Sequence, residues 1–229
     1  MKRCSLVMAL VLVLSLTAVS AAATWVDGTY VGWSDAGPKS IQSAKVYIED
    51  GKIAAVTLRE FTDKHIEKDW STYPWEPAGE AARTLGQQFV ANQAAQADVV
   101  TGATHSSNGW IQAVERALVK AENKEHDKTY FDGTFLGRSD VASRGYYKVV
   151  WVTIKDDKIV DYSVQRVLAD HTIQDPEEYG WPLEQAREAY KEAAMNSTPG
   201  FVDTITGATG LTQMSNIAVR DALDKARIK

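Results

Sequence analysis

Apolar and polar side chains alternate along Ala44-Lys45-Val46-Tyr47-Ile48-Glu49, pause at Asp50-Gly51, and continue through Lys52-Ile53-Ala54-Ala55-Val56-Thr57-Leu58. Alternation puts one face of a strand into a core, and Asp-Gly favours a tight turn, so this stretch predicts an antiparallel hairpin. The design returns as Tyr147-Lys148-Val149-Val150-Trp151-Val152-Thr153-Ile154, a turn over Lys155-Asp156-Asp157-Lys158, and Ile159-Val160-Asp161-Tyr162-Ser163-Val164. Downstream of each hairpin the period lengthens. Ile111, Val114, Leu118 and Ala121 fall at helical spacing, as do Ile217, Ala218, Leu223 and Ala226. Helices are predicted over 77–95 and 107–121 in the first half, and over 182–195 and 212–227 in the second. Hairpins followed by helices, without β-α-β alternation, predict an α+β fold of two similar small domains, each an antiparallel hairpin-based sheet with flanking helices.

The repetition is visible residue by residue. Asp98-Val99-Val100-Thr101-Gly102-Ala103-Thr104 recurs 105 positions later as Asp203-Thr204-Ile205-Thr206-Gly207-Ala208-Thr209. Asp27-Gly28-Thr29-Tyr30-Val31-Gly32 recurs at the same offset as Asp132-Gly133-Thr134-Phe135-Leu136-Gly137. Internal repetition decides architecture. The domains are placed at 24–122 and 130–229, joined by a polar linker over 123–129.

Residues 1–23 read as a secretory signal peptide. Lys2 and Arg3 precede an apolar run from Leu6 to Val19, and Ser20-Ala21-Ala22-Ala23 offers small residues for cleavage after Ala21 or Ala23. The alternative is an uncleaved anchor, but the run is shorter than the roughly 20 residues that a span needs. The expected location is exported: periplasm, cell surface or secreted. Cys4 is the only cysteine and would leave with the signal, so the mature chain would have no disulfide and no thiolate iron–sulfur or haem attachment. It would retain 23 basic against 30 acidic residues, with no basic stripe, which argues against nucleic acid.

The T-G-A-T segments stand between an extended piece and a helix start. Ser106, Ser107 and Thr212 are suited to cap those helices, and Gly102 and Gly207 permit a tight backbone and close approach of a ligand. Each final threonine then presents a hydroxyl beside open helix amides, a place that favours an anion such as phosphate by about 0.3–1 kcal/mol, up to about 2 when partly buried. The alternative is a capping turn with no ligand. Neither motif holds a histidine or lysine that both copies share. His105 follows Thr104, but Gly210 follows Thr209.

D-x-x-[ST]-G-A-T resembles the flavinylation motif of the FMN-binding domain family, and the surrounding order of D-G-x-Y/F-x-G strand, hairpin and helices is similar too. The resemblance covers essentially all of the mature chain, as two domains. It implies covalent FMN, up to two, joined through phosphate to the hydroxyls of Thr104 and Thr209, with Thr101, Gly102, Ala103, Thr206, Gly207 and Ala208 forming the rest of the motif. It implies a flavin transferase as maturation partner, since a threonine hydroxyl is a weak nucleophile without a base. Asp98 and Asp203 would orient the motif or contact the transferase, or else cap a helix or turn. Relatives often carry hydroxyl residues two and three positions after the attached threonine. The first copy does so with Ser106 and Ser107, whereas the second reads Gly210-Leu211-Thr212.

His65 and His171 correspond at an offset of 106, as do Trp75 and Trp181. The histidines read either as groups near the isoalloxazine ring or as ordinary loop residues, and the tryptophans as stacking partners or core anchors. Trp110 has Ser215 as its counterpart. The expected function is an exported flavoprotein that relays electrons between membrane or extracytoplasmic redox proteins. The chain reads as a carrier more than a stand-alone enzyme, because no NAD fingerprint, metal cluster or nucleophile–base pair stands out. One alternative is a flavin-dependent reductase of a small acceptor, for which Arg59, Arg138, Arg144 and Arg166 are available. Another is a flavin-free exported binding module.

Overall fold

The computed structural model describes residues 25–175, 177, 182–197 and 201–229. The proposed signal region, Tyr179 and Trp181 lie outside these. The first half runs β1 (Gly28–Trp33), β2 (Ser40–Glu49), β3 (Lys52–Thr62), α1 (Glu76–Asn92) and α2 (Thr104–Ala121). The second runs β4 (Gly133–Arg138), β5 (Tyr147–Lys155), β6 (Lys158–Val167), α3 (Leu183–Asn196) and α4 (Thr209–Ala226). Each half is a three-stranded antiparallel sheet, ordered β1-β2-β3 or β4-β5-β6, with its helices against it. The α+β reading in two similar halves holds.

The repeat extends to irregularities. The register of β2 on β3 shifts at Tyr47/Ile48, and that of β5 on β6 at Thr153/Ile154. The hairpin turns are held by the aspartate of each D-G-T. The Asp27 carboxylate accepts from the Gly51 amide at 2.8 Å, and the Asp132 carboxylate from the Asp156 amide at 3.0 Å. The closing glycine of the same motif lets a helix lie on the strand. A Cβ on Gly32 would stand 1.9 Å from the Ala113 carbonyl oxygen, and one on Gly137 2.0 Å from that of Ala218. No side chain fits there, so α2 on β1 and α4 on β4 pack backbone to backbone.

Within each half, Val46, Ile48, Leu85, Phe89 and Val114, or Val152, Ile154, Tyr190, Val219 and Leu223, form a core between sheet and helices. A third cluster joins the halves. Ile41, Leu136, Tyr147, Val149 and Val167 are buried together, with Trp33, Phe61 and Trp151 packed around them. The starts of β2 and β5 are therefore covered on both faces, which is why Ser40–Ala44 and Tyr147–Val150 are buried without interruption. Polar contacts cross the same boundary. Arg116 donates to the Trp33 and Asp132 carbonyls and pairs with Asp35 at 2.7 Å. The Ala36 amide donates to the Thr134 carbonyl, and the Tyr147 hydroxyl to that of Lys64.

Candidate functional site

Both T-G-A-T segments fold alike. The Ala103 amide bonds the Val100 carbonyl at 3.0 Å and the Ala208 amide the Ile205 carbonyl at 2.9 Å, each closing a turn. Gly102 and Gly207 take φ of 84° and 77° there, a left-handed backbone that glycine enters at little cost. Ala103 and Ala208 then occupy the helix-cap position with the same dihedrals, φ −127° and ψ 31°, and neither start has a side-chain cap. Thr104 and Thr209 are the first helical residues and are exposed. This corrects the expected caps. Ser106, Ser107 and Thr212 lie inside the first turn because the helices begin about one turn earlier, on the threonines themselves. The Ser107 and Thr212 hydroxyls instead hold the incoming chain, accepting from the Val100 and Ile205 amides at 3.3 Å. Leu211 replaces Ser106 without loss of this tie, because only the later hydroxyl makes it.

The helix amides beyond each motif thus have no side chain closing them, and the first amides of a helix lack partners within it. That is an anion-binding arrangement with an alcohol at its mouth. Asp98 and Asp203 are exposed, and among the described residues no hydrogen bond ties either carboxylate to its motif. Asp98 is held by its own amide, which donates to Gln88 at 2.7 Å. Thr101 and Thr206 are exposed in the turns.

The second motif opens on a cavity of about 510 Å³, lined by Tyr146, Lys148, Arg166, Leu183 and the run 207–211. Strand pairing sets Lys148 opposite Arg166. The Arg166 guanidinium lies 3.5 Å from the centre of the Tyr146 ring. Lys148 is 4% exposed, and no hydrogen bond or ion pair to its ammonium is found among the described residues. Burial, reinforced by the charges of Arg187 and Arg166, lowers its pKa from 10.5 to about 7. Sequence reasoning named Arg166 only as one available arginine and passed over Lys148 and Tyr146. The signal was the repeat register, which sets two bases where the first half has an amide and an acid.

The corresponding pair in the first half is Gln42 opposite Glu60. Gln42 is fully partnered, donating to the Ser40 hydroxyl at 3.0 Å and accepting from that of Ser34 at 3.1 Å. Glu60 is buried and paired with Lys68 at 2.6 Å. Burial pulls the Lys68 pKa down, but Glu60 and Tyr73 outweigh it and leave the pKa raised. Trp110 is fully buried, donates to the Arg59 carbonyl at 2.9 Å, and meets Trp70 edge to face. Trp75 latches onto the first motif. Its indole N–H donates to the Gly102 carbonyl at 2.8 Å while the ring stays 55% exposed. It is not a core anchor.

The histidines follow β3 and β6. Both occupy corresponding turns with positive φ, 57° at His65 and 65° at His171. His65 packs against Phe61 and Trp33, and its Nε2 stands 2.8 Å from the Lys225 ammonium at the far end of α4. Lys225 and Thr209 are separated along that helix by about 24 Å at 1.5 Å per residue. His171 is exposed. No hydrogen bond or ring contact joins either histidine to a motif among the described residues.

Residues 37–119, which span β2 through most of α2, match the family model of the FMN-binding domain. Among solved structures, the CPE2226 protein of Clostridium perfringens is similar at 25% identity, over 42% of this chain and 88% of that one, with a TM-score of 0.37. Comparison with curated proteins returns no match. The segment matched contains the first T-G-A-T turn, the helix start with its open amides, and the strand pair behind them. Residues 37–119 are therefore similar to an FMN-binding domain, and that similarity supports FMN as the cofactor of this segment.

Proposed function

We propose that this chain is an exported carrier of two covalent flavins, with one FMN joined through its phosphate to Thr104 and one to Thr209. The observation that carries this reading is the identical helix start at both motifs: the same alanine dihedrals, no side-chain cap, and an exposed threonine hydroxyl as first helical residue. A turn kept only as a cap would place a hydroxyl or carboxylate on the helix amides. Both copies leave those amides open for a phosphate.

Bound FMN would supply reversible uptake of two electrons. The residues around it do the rest. The open amides of α2 and α4 hold the phosphate, the glycine of each turn lets the backbone approach, and Trp75 offers an exposed ring face beside the first motif. The cavity beside Thr209 gives the second site room for a planar ring system. The shared interface, with Trp33, Phe61, Tyr147 and Trp151, holds the two halves together, which suits passage of electrons within one chain. A separate flavin transferase makes the attachment, since the two threonines share no base among the described residues: His105 follows Thr104 and Lys148 lines the cavity beside Thr209, but neither has a counterpart at the other motif. Membrane or extracytoplasmic redox proteins are the proposed donor and acceptor, and the signal-like residues 1–23 support export.

Intact mass tests the attachment. Co-expression with a flavin transferase should add two FMN-sized increments, and Thr104→Ala or Thr209→Ala should each remove one. An unmodified mass for the wild-type chain would overturn the proposal. Carrier and reductase are separated by turnover with soluble acceptors, which the carrier reading expects to be slow.

A further inference from the structure

The two halves differ in charge where a cofactor would need a charged partner. Gln42 and Lys148 occupy the same place on β2 and β5, Glu60 and Arg166 the same place on β3 and β6, and Lys68 and Gln174 the same place beyond them. The Lys68 and Gln174 amides both bond back to the strand, at 2.8 Å to the Glu60 carbonyl and 2.9 Å to that of Arg166. In the first half Gln42 bonds two serines and the Glu60 charge is paired with Lys68, although the second Glu60 oxygen is buried without a hydrogen bond among the described residues. In the second half Lys148 is buried beside a cavity, with no counter-charge on its ammonium among the described residues. A buried ammonium without a partner is costly to a fold. It persists where a ligand completes it. The cavity that contains it also contains Thr209 and the open amides of Gly210 and Leu211. A charged side chain and a helix start therefore converge on one space.

We infer that the second site is built to hold negative charge: Lys148, with Arg166 behind it, binds an anionic part of the cofactor, and the first site has no equivalent. The inference rests on the reading that Thr209 carries FMN. That cofactor offers two anions. One is its phosphate. The other is its ring after reduction, when two electrons and one proton convert the neutral oxidised ring to a singly negative form. Contact with the ring would stabilise the reduced state and raise the potential of the second flavin above that of the first, so electrons entering the chain would settle in the second half. Burial with nearby arginines leaves Lys148 only partly charged near pH 7, so an arriving anion would also restore its proton. Among the described residues, Tyr146, Arg166, Thr209, Arg187 and the Glu184 partner of Arg187 are the other polar side chains around it.

Two measurements on the full-length protein decide. In the first, inorganic phosphate is titrated calorimetrically into cofactor-free protein, wild type against Lys148→Gln. A phosphate contact predicts affinity weaker by about tenfold or more, the size of one charge-assisted hydrogen bond. In the second, a Thr104→Ala chain loaded at Thr209 alone is compared, with and without Lys148→Gln, by spectroelectrochemistry. A ring contact predicts a lower midpoint potential in the variant. Either change supports the inference and says which anion Lys148 holds. If neither moves in a folded variant, the inference is overturned. Arg166→Gln gives an independent arm if Lys148→Gln does not fold. If the Thr104→Ala chain carries no flavin, the attachment reading fails, and the phosphate titration still judges Lys148.

Discussion

Where β2 buries Gln42 between two serine hydroxyls, β5 buries Lys148 against a cavity. Where α2 fills its half with Trp110, α4 places Ser215. The backbones around these positions repeat down to a register shift and an alanine dihedral. The two halves thus share the scaffold and the helix start, while the side chains behind the motif differ: Gln42, Glu60 and Trp110 in the first, Lys148, Arg166 and Ser215 in the second. Features the two halves share are those the fold or the proposed attachment demands. Features that differ are free to tune each site.

The largest expected effect falls on what is shared. Gly32→Ala and Gly137→Ala each push a methyl into a helix backbone, so each should cost at least about 1–3 kcal/mol in chemical denaturation. A cost in one half alone would mean that the helix-on-strand contacts are not equivalent. Lys148 and Gln42 should next respond with opposite sign. Lys148→Met removes a buried ammonium that has no counter-charge among the described residues and should stabilise the cofactor-free chain by about 1–3 kcal/mol. Gln42→Met removes the donor to the buried Ser40 hydroxyl, while Ser34 keeps the Asp35 carbonyl and the residue 42 amide, and should destabilise it by about 1–2 kcal/mol. The pH dependence sharpens this. With a folded pKa of about 7 against an ordinary 10.5, the unfolded chain binds the proton that the folded chain has released. Wild-type stability should therefore rise with pH between 7 and 10.5, the cost being fully present below 7, and Lys148→Met should flatten that rise.

A smaller effect belongs to the interface. Burial first, then the Lys225 charge, lowers His65 from 6.5 to about 4, against the opposing pull of Asp221. Between those values the unfolded chain again binds more protons, so stability should fall as pH drops from 6.5 to 4. His65→Gln should remove that part of the acid sensitivity, as read by thermal unfolding across the window. The smallest effect is expected at Trp75. Trp75→Phe deletes one exposed hydrogen bond to the Gly102 carbonyl, worth about 0.5 kcal/mol, and should alter the near-ultraviolet dichroism of the first site alone.

The hairpins and the long helices were legible in the sequence because their signals are local: alternation around Asp50-Gly51, and helical spacing from Ile111 to Ala121. The helix starts were misplaced because hydroxyl residues invite a capping reading, and Ser107 and Thr212 spend theirs on the backbone before the turn instead. The pairing of His65 with Lys225 joins residues 160 positions apart, beyond any local pattern. Lys148 was hidden for another reason. Alternation assigns it a face of β5, but only the packed halves show that both faces there are covered, and only the repeat register shows that Gln42 is its counterpart.

The account stands on two threonine hydroxyls carrying FMN. Its most direct test is the flavin absorbance that stays with the polypeptide after acid precipitation, in chains matured beside a flavin transferase. Wild type should retain two equivalents, Thr104→Ala one, Thr209→Ala one and the double variant none. Colour retained by the double variant, or absent from wild type, would contradict it.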